Sequence, residues 1–205
     1  MLIYRFAHFS IRVFGRILFG LKAFGRENIP AEAAIFASNH LSQADPPLIG
    51  ACLPLNTYYF AKEELFSNRC VGALLRHVHA FPARRGEPDA GAWKKAKRVL
   101  TSGDHLLFFP EGTRSVDGRI QPAKAGLARL AFAARVPVVP TVVVGSDNLR
   151  AALWRRVKLR VGFAPPVQLS EFDDLPTREE RCDGLTERVM TAIAALSEQA
   201  QQDSI

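Results

Sequence analysis

Short apolar runs alternating with helix-patterned segments predict an α/β fold, a layered mixed or mostly parallel sheet flanked by helices. Three observations carry that reading. Residues 33–38, 106–109 and 138–144 read as buried strands, the last rich in β-branched side chains. The segment 89–102 sets Ala92, Trp93, Ala96, Val99 and Leu100 on one helical face and Lys94, Lys95, Lys97 and Arg98 on the other. The chain has 205 residues, 48% of them hydrophobic, enough for one domain with a sizeable core.

In chain order, residues 2–24 read as a helix that Gly25 ends. Arg5, His8, Arg12 and Arg16 recur at spacings of three and four and share one stripe, while phenylalanine, leucine and isoleucine cover most of the remainder. Arginines interrupt any signal-peptide core, and the apolar run falls short of the roughly 18 residues a spanning helix needs. A basic stripe beside an aromatic face describes an amphipathic helix lying in the lipid interface, with phosphate headgroups meeting the arginines. The competing reading is a helix packed on the core with solvated arginines. Residues 1–26 are thus expected to form a membrane-interface helix, and 27–205 the main domain.

Beyond it, 46–53 reads as a short helix, 57–61 as a strand, and 63–75 as room for two short helices. Residues 78–83 read as a strand, 124–135 as a helix and 138–144 as a central strand. Residues 157–163 alternate as an edge strand does, and 179–199 form a long helix.

Charge is unevenly placed. Residues 1–26 hold five basic side chains and no acid, against a formal net charge of +7 for the whole chain. The amino-terminal segment therefore favours an anionic partner. Three scattered cysteines, Cys52, Cys70 and Cys182, lack metal-ligand spacing and read as reduced structural thiols. Together these features place the protein on the cytoplasmic face of a membrane, as a peripheral or monotopic protein.

Two polar bursts interrupt the apolar pattern at strand ends. The first, Ser38-Asn39-His40-Leu41-Ser42-Gln43-Ala44-Asp45-Pro46-Pro47, joins a strand to a helix. Asp45 before Pro46 reads as an N-cap before a first-turn proline. Whether Asp45 caps the helix, orients His40, or divides its two oxygens between those jobs stays open. The second burst, Glu111-Gly112-Thr113-Arg114-Ser115, follows Phe108-Phe109-Pro110. Gly112 lets backbone approach a ligand closely, and Arg114 offers a planar fork suited to phosphate. A bland alternative pairs Glu111 with Arg114 across a turn.

Asn39-His40 followed by Asp45, with Phe109-Pro110-Glu111-Gly112-Thr113-Arg114-Ser115 downstream, resembles the glycerolipid acyltransferases. Residues 79–86, the Lys124-Ala125-Gly126 helix start and residues 136–140 match further family blocks in order, and the likeness spans about residues 28–165. Two positions depart from the family pattern. His79 stands where many members carry glycine, and basic Arg84 where an acid often precedes the arginine.

The resemblance implies an O-acyltransferase. It would move a fatty acyl group from acyl-CoA or acyl carrier protein to the free hydroxyl of 1-acyl-sn-glycerol 3-phosphate, giving phosphatidic acid without a cofactor or metal. His40 would be the general base and Asp45 its orienting partner. Arg85, Glu111, Gly112, Thr113 and Arg114 would form the acceptor site, the two arginines clamping phosphate. Direct attack needs no enzyme nucleophile, so Ser38 and Ser42 read as hydrogen-bonding loop residues. Two other classes compete: the same chemistry on another lysolipid such as a lyso-aminolipid, or a non-catalytic protein that binds anionic membranes. Nucleic acid is not expected as a partner, since the sequence pI of 9.7 comes without a recognition motif.

Overall fold

The computed structural model describes residues 2–84 and 89–202. Seven strands form one sheet: β1 (Lys22–Phe24), β2 (Ile35–Ser38), β3 (Thr57–Lys62), β4 (Ala80–Ala83), β5 (His105–Phe108), β6 (Val138–Val144) and β7 (Arg160–Phe163). Their order is β1-β7-β6-β2-β5-β3-β4, with every pairing parallel except β6–β7. Helices α1 (Leu2–Phe19), α2 (Asp45–Gly50), α3 (Arg69–His77), α4 (Ala90–Thr101), α5 (Gly126–Ala134), α6 (Leu149–Leu153) and α7 (Arg178–Gln202) flank it.

Burial on both faces explains why the strands read as apolar runs. Along β2, Ile35 and Ala37 pack into a core shared with α4, α5 and α7. Phe36 turns the other way, into a core with Leu48 and Ile49 of α2 and Ala152 of α6. The first of these cores includes small residues from its helices, Ala96, Ala128 and Ala131 among them.

The expected helix over 2–24 is shorter. It stops at Phe19, and the chain turns through Gly20 at φ 63, with the Leu21 N–H on the Gly15 carbonyl. Residues 22–24 are instead β1, an edge strand beside β7. That addition makes β7 an interior strand, where the alternation over 157–163 predicts an edge. Trp93 is 36% exposed at the rim of α4, not in its core face.

α1 buries Tyr4 and half-buries His8 and Ile11. His8 thus leaves the expected basic stripe, and its Nε2 lies 3.1 Å from the Leu53 carbonyl oxygen. Phe6, Phe9, Phe14 and Ile17 are 71, 64, 58 and 65% exposed. No helix among the described residues is long and apolar enough to cross a membrane.

Where the helix meets the sheet, His79 is sandwiched between Tyr4 (ring centroids 4.3 Å apart) and Tyr58 (4.7 Å). Its φ of 63 is left-handed, a conformation glycine adopts without cost and histidine does not.

Candidate active site

β2 and β5 are adjacent and parallel, with Ala37 opposite Phe108, so the loops that follow them leave the same sheet edge side by side. In open α/β sheets this carboxyl edge is where ligands bind. Asn39 fixes the first loop. Its side-chain amide donates to the Val143 carbonyl and its Oδ1 accepts the Val143 N–H, both at 2.9 Å, extending the ladder to β6. The Ser115 N–H donates to the His40 carbonyl at 2.8 Å and ties the second loop to the first.

His40 and Asp45 are both buried, and His40 Nδ1 lies 2.8 Å from Asp45 Oδ2. The same Oδ2 accepts the N–H groups of Leu41 at 2.6 Å and Ser42 at 2.7 Å. An oxygen used as an acceptor by two amides is also an acceptor for the imidazole, so Nδ1 carries a proton, and in the neutral ring the lone pair is on Nε2. Asp45 is not an N-cap. It is the first residue of α2, Ala44 holds the cap position, and the carboxylate turns back onto the loop instead. The His40 ring stacks on Phe109, centroids 4.1 Å apart and planes 20° apart, which fixes its face. Such an imidazole, braced at one nitrogen and free at the other, can take a proton from a hydroxyl.

Glu111 braces the loop rather than Arg114. Its Oε1 accepts the His40 backbone N–H at 3.2 Å, and no Glu111–Arg114 pair forms among the described residues. Burial pushes the Glu111 carboxyl up from its ordinary range, the Asp45 charge adds to that, and the His40 and Gln121 N–H groups partly offset it. An acid whose folded pKa is raised loses folded-state stability as pH climbs through that value. Glu111→Gln keeps an acceptor for His40 and removes this penalty. It is expected to melt above the parent at alkaline pH, with the gap closing as pH falls into the carboxylate range. A gap that stays constant across pH would show that burial of charge is not its cause.

Gly112 takes φ 71 with its N–H on the Phe109 carbonyl, and an added Cβ would sit 3.2 Å from the Lys124 side chain. Thr113 is exposed on the same turn. Arg114 and His40 line one cavity of about 520 Å³, together with Gln43 and Lys62. Apolar and aromatic residues also line it, among them Ile11 of α1, Gly50 of α2, Tyr59 of β3 and Val78. Arg85 lies outside the described residues. Lys62 and Gln43 are not singled out by sequence reasoning, although Lys62 ends β3 at the same sheet edge. No group of three or more histidine, cysteine or acidic side chains able to hold a metal occurs among the described residues.

A family model described as Acyltransferase matches residues 21–144, a span that includes His40, Asp45, Lys62 and the Glu111–Arg114 turn. The chain belongs to the acyltransferase family. This acyltransferase is 29% identical over 201 residues to a 1-acyl-sn-glycerol-3-phosphate acyltransferase of Bacillus subtilis, covering 97% of this chain and 99% of that one. A protein of the same name from Limnanthes alba is 33% identical over 149 residues, covering 68% of this chain and 52% of that longer one. The crystal structure of the 1-acyl-sn-glycerophosphate (LPA) acyltransferase PlsC from Thermotoga maritima superposes with a TM-score of 0.73. It is 27% identical, and the match covers 95% of this acyltransferase and 81% of that chain. The acyltransferase is therefore an enzyme of the O-acyl-transferring class, built on the same mostly parallel sheet.

Proposed function

We propose that this acyltransferase moves a fatty acyl group from an acyl thioester to the free hydroxyl of 1-acyl-sn-glycerol 3-phosphate, with His40 as general base. The observation that carries the reading is the placement of His40 and Arg114 on one cavity, with His40 held by Asp45. The hydroxyl oxygen attacks the thioester carbonyl carbon while its proton passes to His40 Nε2. The tetrahedral intermediate expels the thiolate, which takes the proton back from the imidazolium and leaves as a thiol. Asp45 favours the imidazolium as it forms. Arg114, with Arg85 as the resemblance implies, binds the acceptor phosphate, while Glu111, Gly112 and Thr113 shape the turn that carries Arg114. The names of the relatives support the lysophosphatidic acid acceptor.

The test is an acceptor panel given one labelled acyl thioester and read by lipid mass. Product from 1-acyl-sn-glycerol 3-phosphate, absent with a lyso-aminolipid lacking phosphate, supports the reading, and the reverse preference overturns it. Running the panel with acyl-CoA and with acyl carrier protein identifies the donor. Arg114→Ala is expected to raise the acceptor KM roughly 10- to 100-fold, the range of a charge-assisted phosphate contact. An unchanged KM removes Arg114 from the phosphate site.

The apolar part of the cavity lining suits the donor's acyl chain. A Cβ at Gly50 would lie 2.6 Å from the Tyr59 hydroxyl, so any larger side chain there takes space from the cavity. Gly50→Leu is expected to shift donor preference toward shorter chains, measured as relative kcat/KM across a thioester series. An unaltered profile would place the chain elsewhere. The amino-terminal residues 1–26, with α1 in them, serve in this reading to hold the domain 27–205 on an anionic membrane surface at its cytoplasmic face.

A further inference from the structure

The turn after α6 is joined to the end of α1 by a specific contact. Arg155 takes φ 57, left-handed for a non-glycine residue, and its Nη2 donates to the Ile17 carbonyl at 2.8 Å. Ile17 is in the last turn of α1, where carbonyls lack helical partners and the helix dipole favours a cation. The fit is close on the other side as well. An added Cβ at Gly20 would lie 2.2 Å from Arg155 Nη1, so the small residue there makes room for the guanidinium.

This joint ties the turn that carries Trp154 to the end of α1. Trp154 is 75% exposed and Leu153 43% on this turn, and at the end of α1 Ile17 is 65% and Leu18 44% exposed. A tryptophan so exposed gains nothing from the core, whereas its amphipathic ring suits the headgroup level of a bilayer. The charge on the two joined segments is of one sign, with Asp147 and Glu27 the first acids outside them. Residues 148–160 carry five cationic side chains and no acid, and residues 1–26 carry five more and no acid. Exposed aromatic and aliphatic side chains on two segments whose charges are all cationic complement an anionic lipid surface, whereas a protein partner needs no such uniform sign.

We infer that the 153–156 turn is a second lipid-interface anchor, with Trp154 inserted among anionic phospholipid headgroups and Arg155 locking it to α1. The inference deepens the membrane-surface reading above. It differs in that a segment 138 residues away in sequence shares the contact.

The test uses the full chain carrying Trp93→Phe, which leaves Trp154 as its one tryptophan. Vesicles of phosphatidylcholine with phosphatidylglycerol are expected to blue-shift its emission, and lipids brominated on the upper acyl chain to quench it. Trp154→Ala in the parent is expected to weaken vesicle partitioning roughly tenfold, as loss of one interfacial aromatic does. Turnover of a short-chain, monomeric acceptor should stay unchanged. Emission and quenching that stay unaltered while the protein co-sediments with the vesicles would overturn the proposal, since α1 alone would then be binding. Equal blue shifts on pure phosphatidylcholine would overturn its electrostatic half. Fluorescence needs no turnover, so failure of the anchor and failure of the acyl-transfer reading are separately visible.

Discussion

Replacing His40 by alanine is expected to lower kcat by roughly two to four orders of magnitude, the usual contribution of a positioned general base. The acceptor KM should change little, because Arg114 and the turn that carries it are untouched. The fold should survive. The substitution removes a stacking partner of Phe109 and one donor to Asp45, but leaves the Leu41 and Ser42 N–H bonds to Oδ2 in place. Steady-state kinetics with a labelled thioester, alongside a thermal melt, would check both halves. A folded His40→Ala protein with near-parental kcat would remove His40 as the base, whatever becomes of the acceptor.

Asp45→Ala is expected to be worse in a different way. It strips the acceptor from three donors at once, His40 Nδ1 and the amides of Leu41 and Ser42, in a site where Asp45 itself is fully buried. Each buried donor left unpaired costs about 1–3 kcal/mol, so the loop and the helix start it holds should loosen together. A lowered Tm and a loss of turnover should therefore appear in one variant. Asp45→Asn separates the two effects. Its amide oxygen can still accept from the loop, restoring much of the Tm, while the charge that favours the imidazolium is gone and kcat stays low. Recovery of both Tm and kcat in Asp45→Asn would show that only the loop scaffold matters.

The layered α/β architecture was legible because strands covered on both faces write themselves as apolar runs, and β2, β5 and β6 did so. β1 was not. Its three residues, Lys22–Phe24, follow a helix of similar apolar content, and the break at Gly20 shows only once the left-handed turn is seen. Missing β1 also misplaced β7, because an alternating strand reads as an edge whenever its outer neighbour is hidden. The pairing of the two polar bursts was legible from their common position after strands. Their internal wiring was not: one carboxylate oxygen serving His40, Leu41 and Ser42 depends on how the loop folds back. Glu111 holding the His40 backbone instead of Arg114 is likewise a long-range contact with no local signal. Which side of α1 faces inward was equally hidden, since aromatic residues occur around most of its circumference.

The two sides of α1 do unlike work, and that bears on handling the protein. Tyr4, Ala7, His8 and Ile11 form part of the cavity wall, while Phe6, Phe9, Phe14 and Ile17 face outward. Trimming this greasy segment is the obvious route to a better-behaved reagent for inhibitor screening. Such a clipped protein is expected to lose one side of the chamber in which a lipid tail would be measured. Compounds selected against it would then be fitted to a more open trough than the cavity of the whole enzyme.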